Sequence, residues 1–265
     1  MDQLKNYFLS IEPFWPKDYA VSETCHEGGV FATKIDWHGM ESIKCVPGNG
    51  QVGLMLQDQE ELQGYFYGTI SEGAEIGLNG IERGYFVRFN PGAFFNICNI
   101  PATEIDPNGM PMEEILSSDQ LARIQEALVD ASPTRALVQQ FHSWEELRRS
   151  GGSHKQLVSY IVEKIWHSQG NLQLHSLEAD TAYSGRYLRE VVMQGVGLAP
   201  KQMCRQVRFQ HALKQMERMQ RLGRLSFCEL ACALGYSDQA HFCRDFKTFC
   251  GMSPAEYEKS RGLGR

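Results

Sequence analysis

The chain has 265 residues, 42% hydrophobic and 22% charged, the make-up of a soluble globular protein long enough for two domains. No apolar run approaches the ~20 residues of a membrane helix, and MDQLKNYFLSIEPFWP lacks the basic-then-apolar order of a secretory signal. The net charge of −6 divides unevenly: residues 1–150 carry 10 Lys+Arg against 22 Asp+Glu, whereas 151–265 carry 16 against 10, so a polyanion would meet only the second half.

Short segments rich in aromatic and β-branched residues come first: 29–35, 51–56, 64–70 and 84–89. Gly, Pro and Asn punctuate them at Pro47-Gly48-Asn49-Gly50, Asn79-Gly80 and Asn90-Pro91-Gly92. Many short strands with frequent turns predict a sandwich or barrel. From about residue 111 the texture becomes helical, over 112–116, 118–129 with Ser118 as N-cap, and 133–150. Gly151-Gly152-Ser153 is the best linker candidate. Everything beyond reads as helix: 156–168, 172–183, 185–194 capped by Ser184, 201–222 behind Pro200, 225–234, 238–250 capped by Ser237, and a short helix from Pro254.

One pattern occurs twice in this second half. A short helix ends in a tight turn and a second helix starts at a Ser cap, first at Ala182-Tyr183-Ser184 and again, 53 residues later, at Gly235-Tyr236-Ser237. A helix-turn-helix needs this arrangement, because the turn sets the second helix steeply against the first. The helix between the copies is roughly 34 Å long at ~1.5 Å per residue. One turn of B-DNA is about 34 Å, so the spacer suits two recognition helices in successive major grooves.

In the second copy Phe242, Phe246 and Phe249 fall within about 60° of helical arc and read as core against Leu230, Ala231 and Leu234. The opposite face carries Gln239, Ala240, His241, Cys243, Arg244, Lys247 and Thr248. Gln suits adenine and Arg suits guanine or a phosphate, although a merely solvated polar face is the competing reading. The first copy offers Arg186, Tyr187, Arg189 and Glu190, with Leu188, Val191 and Val192 on the packing side. Two roles are open to Glu190: accepting from cytosine N4, or restraining a neighbouring arginine. Cys228, Cys232, His241, Cys243 and Cys250 raise the question of zinc. His241 and Cys243, two apart on a helix, point about 200° apart and cannot share a metal, so no metal site is expected. Scattered cysteines without an export signal read as reduced thiols in the cytoplasm. In the first half no G-x-S-x-G, P-loop or His-x-His appears, so no catalytic residue and no cofactor are expected. Its aromatics, among them Phe31, Trp37, Tyr65, Tyr67 and Phe86, either fill the core or enclose a small ligand.

The stretch from Ala231 onward resembles the AraC/XylS family of bacterial transcription regulators. The resemblance runs through Gly235-Tyr236, Asp238-Gln239, His241-Phe242, Arg244, Phe246-Lys247, Gly251, Ser253-Pro254 and Tyr257, and extends over about the last 110 residues. It implies two helix-turn-helix units joined by a long helix on one DNA face. Base contacts would come from Arg186, Arg189 and Glu190, and from Gln239, Ala240 and His241, with Arg244 on the DNA backbone. The first unit departs from the family pattern at Glu178, at Ala182 where a turn glycine is usual, at Val192 where Phe is usual, and at Ala199. The first half is similar, more loosely, to the cupin-like regulatory domain of some of these proteins, through Cys45–Gly50, Gly84–Gly92 and Pro101–Ile105.

The expectation is therefore a two-domain α+β protein. Residues 1–110 form a cupin-like β-barrel or sandwich that senses an effector, 111–152 a helical linker that also serves dimerisation, and 153–265 an all-α double helix-turn-helix domain. Double-stranded DNA is the expected partner, with RNA polymerase and a small-molecule effector beside it, no membrane, and the choice between monomer and homodimer open. A first half that binds a protein instead of a small molecule, or a cupin-like enzyme, are the rival readings.

Overall fold

Side-chain alternation in the strands decides the architecture of the first half. The computed structural model describes residues 20–38, 40–46, 48, 50–58, 62–148, 152–223 and 225–260. The expectations for the N-terminal signal, for Pro47 and Asn49, and for the linker residue Gly151 lie outside them, whereas Gly152 and Ser153 of the expected linker open a helix instead. Among the described residues eight strands form: β1 (Ala20–Glu27), β2 (Val30–Asp36), β3 (Ser42–Val46), β4 (Val52–Gln57), β5 (Gly64–Tyr67), β6 (Ala74–Gly77), β7 (Arg83–Phe89) and β8 (Met110–Pro111). Six make one antiparallel sheet in the order β1-β2-β7-β4-β5-β8, and β3 pairs with β6 in a second.

On β7, Tyr85, Val87 and Phe89 enter one core with Val30, Leu54 and Phe66, while Phe86 enters the other with Ile35, Met55 and Tyr67. The register brings Leu54 opposite both Val87 and Phe66, so the layers stay continuous across the strands. β4 is buried from Val52 to Leu56 because both faces of the sheet are covered. The β3–β6 pair contributes Ile43, Val46 and Ile76 to the second core. Among the described residues the six-stranded sheet is open, with β1 and β8 as its edges. The first half is thus the sandwich of the expectation and not a closed barrel.

The other face is covered by helices. α1 (Ala93–Cys98) contributes Phe94 and Ile97, α2 (Ser118–Leu128) Ile124 and Ala127, and α3 (Pro133–Arg148) Leu137, Phe141 and Trp144. The segment expected to link the halves is therefore also built into the first core, and α3 lies against β1 and β2. Thr134 and Ser132 donate to Glu23 on β1, and these two hydrogen bonds, that from Thr134 first, hold its carboxyl below the usual range. The N-cap of α2 is Ser117, not Ser118: its hydroxyl accepts from Gln120 N–H while the Gln120 side chain accepts from Ser117 N–H.

The second half comprises α4 (Gly152–His167), α5 (Leu174–Thr181), α6 (Gly185–Val196), α7 (Pro200–Arg221), α8 (Phe227–Ala233), α9 (Gln239–Cys250) and α10 (Pro254–Ser260). Two cores divide α7 between them. Met203, Cys204 and Val207 pack with α4, α5 and α6; Phe209, Ala212, Leu213 and Met216 pack with α8, α9 and α10. Among the described residues no helix is long and apolar enough to cross a membrane.

Candidate nucleic-acid interface

The second helices of the two helix-turn-helix units are α6 and α9, each set by the turn before it. α5 ends at Ala182 with φ 56° and ψ 16°, left-handed backbone that an alanine adopts at a cost. Glu178, at a position where a small residue is usual in the resembled pattern, holds this turn: its carboxylate accepts from Gly185 N–H at 2.6 Å. Ser184 then caps α6, its Oγ accepting from Tyr187 N–H at 3.3 Å. Val192, in place of the usual Phe, is fully buried with Leu188 and Val191. The atypical first unit is therefore complete as a turn and a packed helix.

In the second unit the turn residue is Gly235 at φ 76°, and an added Cβ would be strained there and would stand 2.4 Å from Asn171 Oδ1, displacing that side chain. The cap of α9 is Asp238, one residue later than expected. Its Oδ1 accepts from His241 N–H at 2.6 Å. Ser237 serves the cap instead, donating to Asp238 Oδ2 at 3.1 Å and meeting His241 Nδ1 at 3.1 Å. The His241 N–H first, then the Ser237 hydroxyl, hold the Asp238 carboxyl below its ordinary 3.8. Phe242, Phe246 and Phe249 are fully buried against Leu230, Ala231 and Leu234, as the periodicity predicts.

One ion pair orients α9 on the spacer helix. Arg205 Nη2 on α7 reaches Asp245 Oδ1 at 2.9 Å, and its Nε lies 3.3 Å from both carboxylate oxygens. Asp245 is 4% exposed. The Arg205 guanidinium also lies 5.4 Å from the Phe249 ring centre. Sequence pattern does not single out this pair, because the partners lie 40 residues apart on different helices.

The predicted reading residues divide by exposure. Arg186, Arg189 and Glu190 on α6 are exposed, as are Gln239, Ala240, Arg244 and Lys247 on α9. Glu190 Oε1 accepts from Arg186 Nε at 3.3 Å, the restraining role of the two left open for it. Tyr187 is half-buried, its ring 4.8 Å from Tyr183 and 6.2 Å from His154. His241 is half-buried with its ring 5.2 Å from Tyr236. Met193, which sequence reasoning passed over, is exposed at i+4 from Arg189, on the same face. An apolar side chain there suits a thymine methyl group. The helical wheel that selects Arg189 contains the signal for it.

In the first half Trp37, Tyr65, Tyr67 and Phe86 gather in the core between the two sheets. Phe31 lies apart, 4.9 Å from the His26 ring and 5.5 Å from the Arg88 guanidinium. Between the sheets is a cavity of about 20 Å3, walled by Val46, Gln51, Tyr67, Ile70, Phe86 and Arg88. That is room for about one water molecule. Tyr67 donates to Gly77 O at 2.8 Å and accepts from Asn79 Nδ2 at 2.9 Å, and burial pushes its hydroxyl up to about 12. Among the described residues no group of three or more His, Cys, Asp or Glu is placed to hold a metal.

Residues 177–260 match the family model described as a helix-turn-helix domain. Over 163 residues the chain is 26% identical to the Msm operon regulatory protein of Streptococcus mutans, covering 61% of this chain and 51% of that one. Over 110 residues it is 28% identical to an uncharacterised HTH-type transcriptional regulator of Haemophilus influenzae, covering 41% and 35%. The chain thus spans about half the length of the first relative and about a third of the second. Among solved structures, ToxT from Vibrio cholerae aligns over 93% of this chain and 99% of its own, at a TM-score of 0.42 and 11% identity.

Proposed function

Because residues 177–260 form an AraC-type helix-turn-helix domain, we propose that the chain is a sequence-specific DNA-binding transcription regulator whose first half responds to a small-molecule effector. The observation that carries the reading is the repeated unit: two capped helices with exposed polar faces, joined by a 22-residue helix. At ~1.5 Å per residue that helix is roughly 33 Å long, close to the repeat of B-DNA. Arg189, Gln239 and Ala240 then read base edges, with Met193 beside Arg189, and Arg186, Arg244 and Lys247 hold phosphates. Half-buried Tyr187 and His241 support their helices and reach DNA only by their rims.

The effector enters between the two sheets, beside Tyr67, Phe86 and Arg88, where apolar walls meet a buried guanidinium. A cavity of about 20 Å3 holds no such molecule, so binding requires the sheets to part. RNA polymerase is the partner that an activator would recruit, and the open edge strand β1 is where a second copy would pair.

The test is binding of the full chain to duplexes selected from random sequence, compared with unselected DNA across salt. Affinity that is equal for both at every salt concentration refutes sequence specificity. Arg189→Ala and Gln239→Ala are expected to change base preference at one position each. Lys247→Ala is expected to weaken all sequences alike and reduce the salt slope by about 1.

A further inference from the structure

The loop after β5 runs from the sheet onto the helical half and touches three of its helices within five residues. Thr69 Oγ1 donates to Val196 O, at the last residue of α6, at 2.7 Å. Ile70 O and Ser71 O both accept from Gln206 Nε2, in the second turn of α7, at 2.9 and 3.1 Å. Gly73 N donates to Thr248 O in the last turn of α9 at 3.0 Å. The approach is close: a Cβ on Gly73 would stand 2.8 Å from Phe249 O, and one on Gly197 3.0 Å from Thr69 Oγ1.

Gln206 is 1% exposed, and its Oε1 makes no hydrogen bond among the described residues. A buried amide with its acceptor unused is unfavourable, and a leucine of similar volume would remove that cost only by leaving the Ile70 and Ser71 carbonyls without their donor. The amide is thus called for by the two loop carbonyls and not by the space it fills. What the amide adds is direction. Its two donor hydrogens hold successive carbonyls of one loop, and a flipped amide would oppose oxygen to oxygen. The contact leaves the reading faces open, since Arg186, Arg189, Gln239 and Arg244 are all exposed. The loop grips the C-terminal ends of α6 and α9, opposite the caps at Ser184 and Asp238.

We infer that Gln206 is a positioning residue through which loop 69–73 sets the separation of the two recognition helices, so that the first half of the chain determines which half-site spacing the second half reads. This rests on the DNA-reading role proposed above. Two recognition modules tied to one loop bind a correctly spaced pair of half-sites with less freedom to lose on binding; untied, each module still reads its own half-site. Ile70 lies in the cavity wall by its side chain and in this clamp by its carbonyl.

The experiment is enrichment of a random-sequence duplex library by the full chain, for the wild type and for Gln206→Leu and Thr69→Val, with thermal unfolding of each. The wild type is expected to enrich two half-sites at one spacing, near the 10–10.5 base pairs of a helical turn. Gln206→Leu is expected to enrich the same half-sites at spacings spread by one or two base pairs, with about tenfold weaker binding to the wild-type spacing. Thr69→Val is expected to shift in the same direction by less, and it decides the matter if Gln206→Leu does not fold. A wild-type spacing kept by the folded variants, or a change in the half-site sequences themselves, overturns the inference and leaves the DNA-reading role standing. A wild-type chain that enriches no sequence overturns that role, and this inference with it.

Discussion

Replacing Asp245 by alanine removes the anion that Arg205 grips on the spacer helix. The carboxylate is 6% exposed and receives hydrogen bonds from two guanidinium nitrogens, the shortest at 2.9 Å. Breaking a buried pair costs ~3–5 kcal/mol when the surviving charge stays buried. Arg205 is 32% exposed and can turn part of its guanidinium to water, which lowers the expected loss to about 2–3 kcal/mol. For a chain of this size that is a fall in Tm of about 5–10 °C. The pair sits behind α9, so DNA affinity is expected to drop evenly across sequences, with base preference and salt slope unchanged. Thermal unfolding followed by circular dichroism, with Arg205→Ala and the double variant completing a cycle, measures the coupling. A loss below about 0.5 kcal/mol, or single-variant losses that simply add, would falsify the account of the pair as the anchor of α9.

Ala182→Gly is expected to stabilise the chain by about 0.5–1 kcal/mol in denaturant titration, since relief of left-handed backbone exceeds the added freedom of the unfolded chain; a destabilised variant contradicts the strain. Glu178→Ala is expected to cost about 1 kcal/mol through the lost acceptor at Gly185 N–H, read in the same titration. Asp238 has a folded-state pKa below its ordinary value, so its contribution is present above that value and lost as pH falls through the folded one. Asp238→Asn keeps a capping oxygen without the charge, and its Tm deficit is expected to shrink between about pH 5 and pH 3. Burial, followed by the Lys214 ammonium, holds His211 below 6.5. The unfolded chain therefore takes that proton first, and stability present above pH 6.5 declines below it. His211→Phe is expected to flatten the Tm profile between about pH 7 and pH 5, and an unchanged profile excludes His211 as its source.

The features that sequence alone determined are those written in neighbouring residues. The spacing of Phe242, Phe246 and Phe249, the cap at Ser184, the left-handed turn at Gly235 and the proline that opens α7 each act within a turn or two of chain. The repeated unit was legible for that reason, and so were strands β2, β4, β5 and β7, whose residues are largely buried on both sides. β1, β3, β6, β8 and α1 went unread. β1 is an exposed edge strand with little apolar signal, and six-residue α1 is held by Phe94 and Ile97 reaching a core assembled from distant segments. The caps at Ser117 and Asp238 were each missed by one residue, because adjacent polar side chains compete and only backbone geometry decides between them. Tertiary structure alone decided the contacts made across long stretches of chain. It joined Arg205 to Asp245, turned Tyr187 against His154, and set Gln206 on a loop 136 residues away, where no local propensity could foretell the meeting.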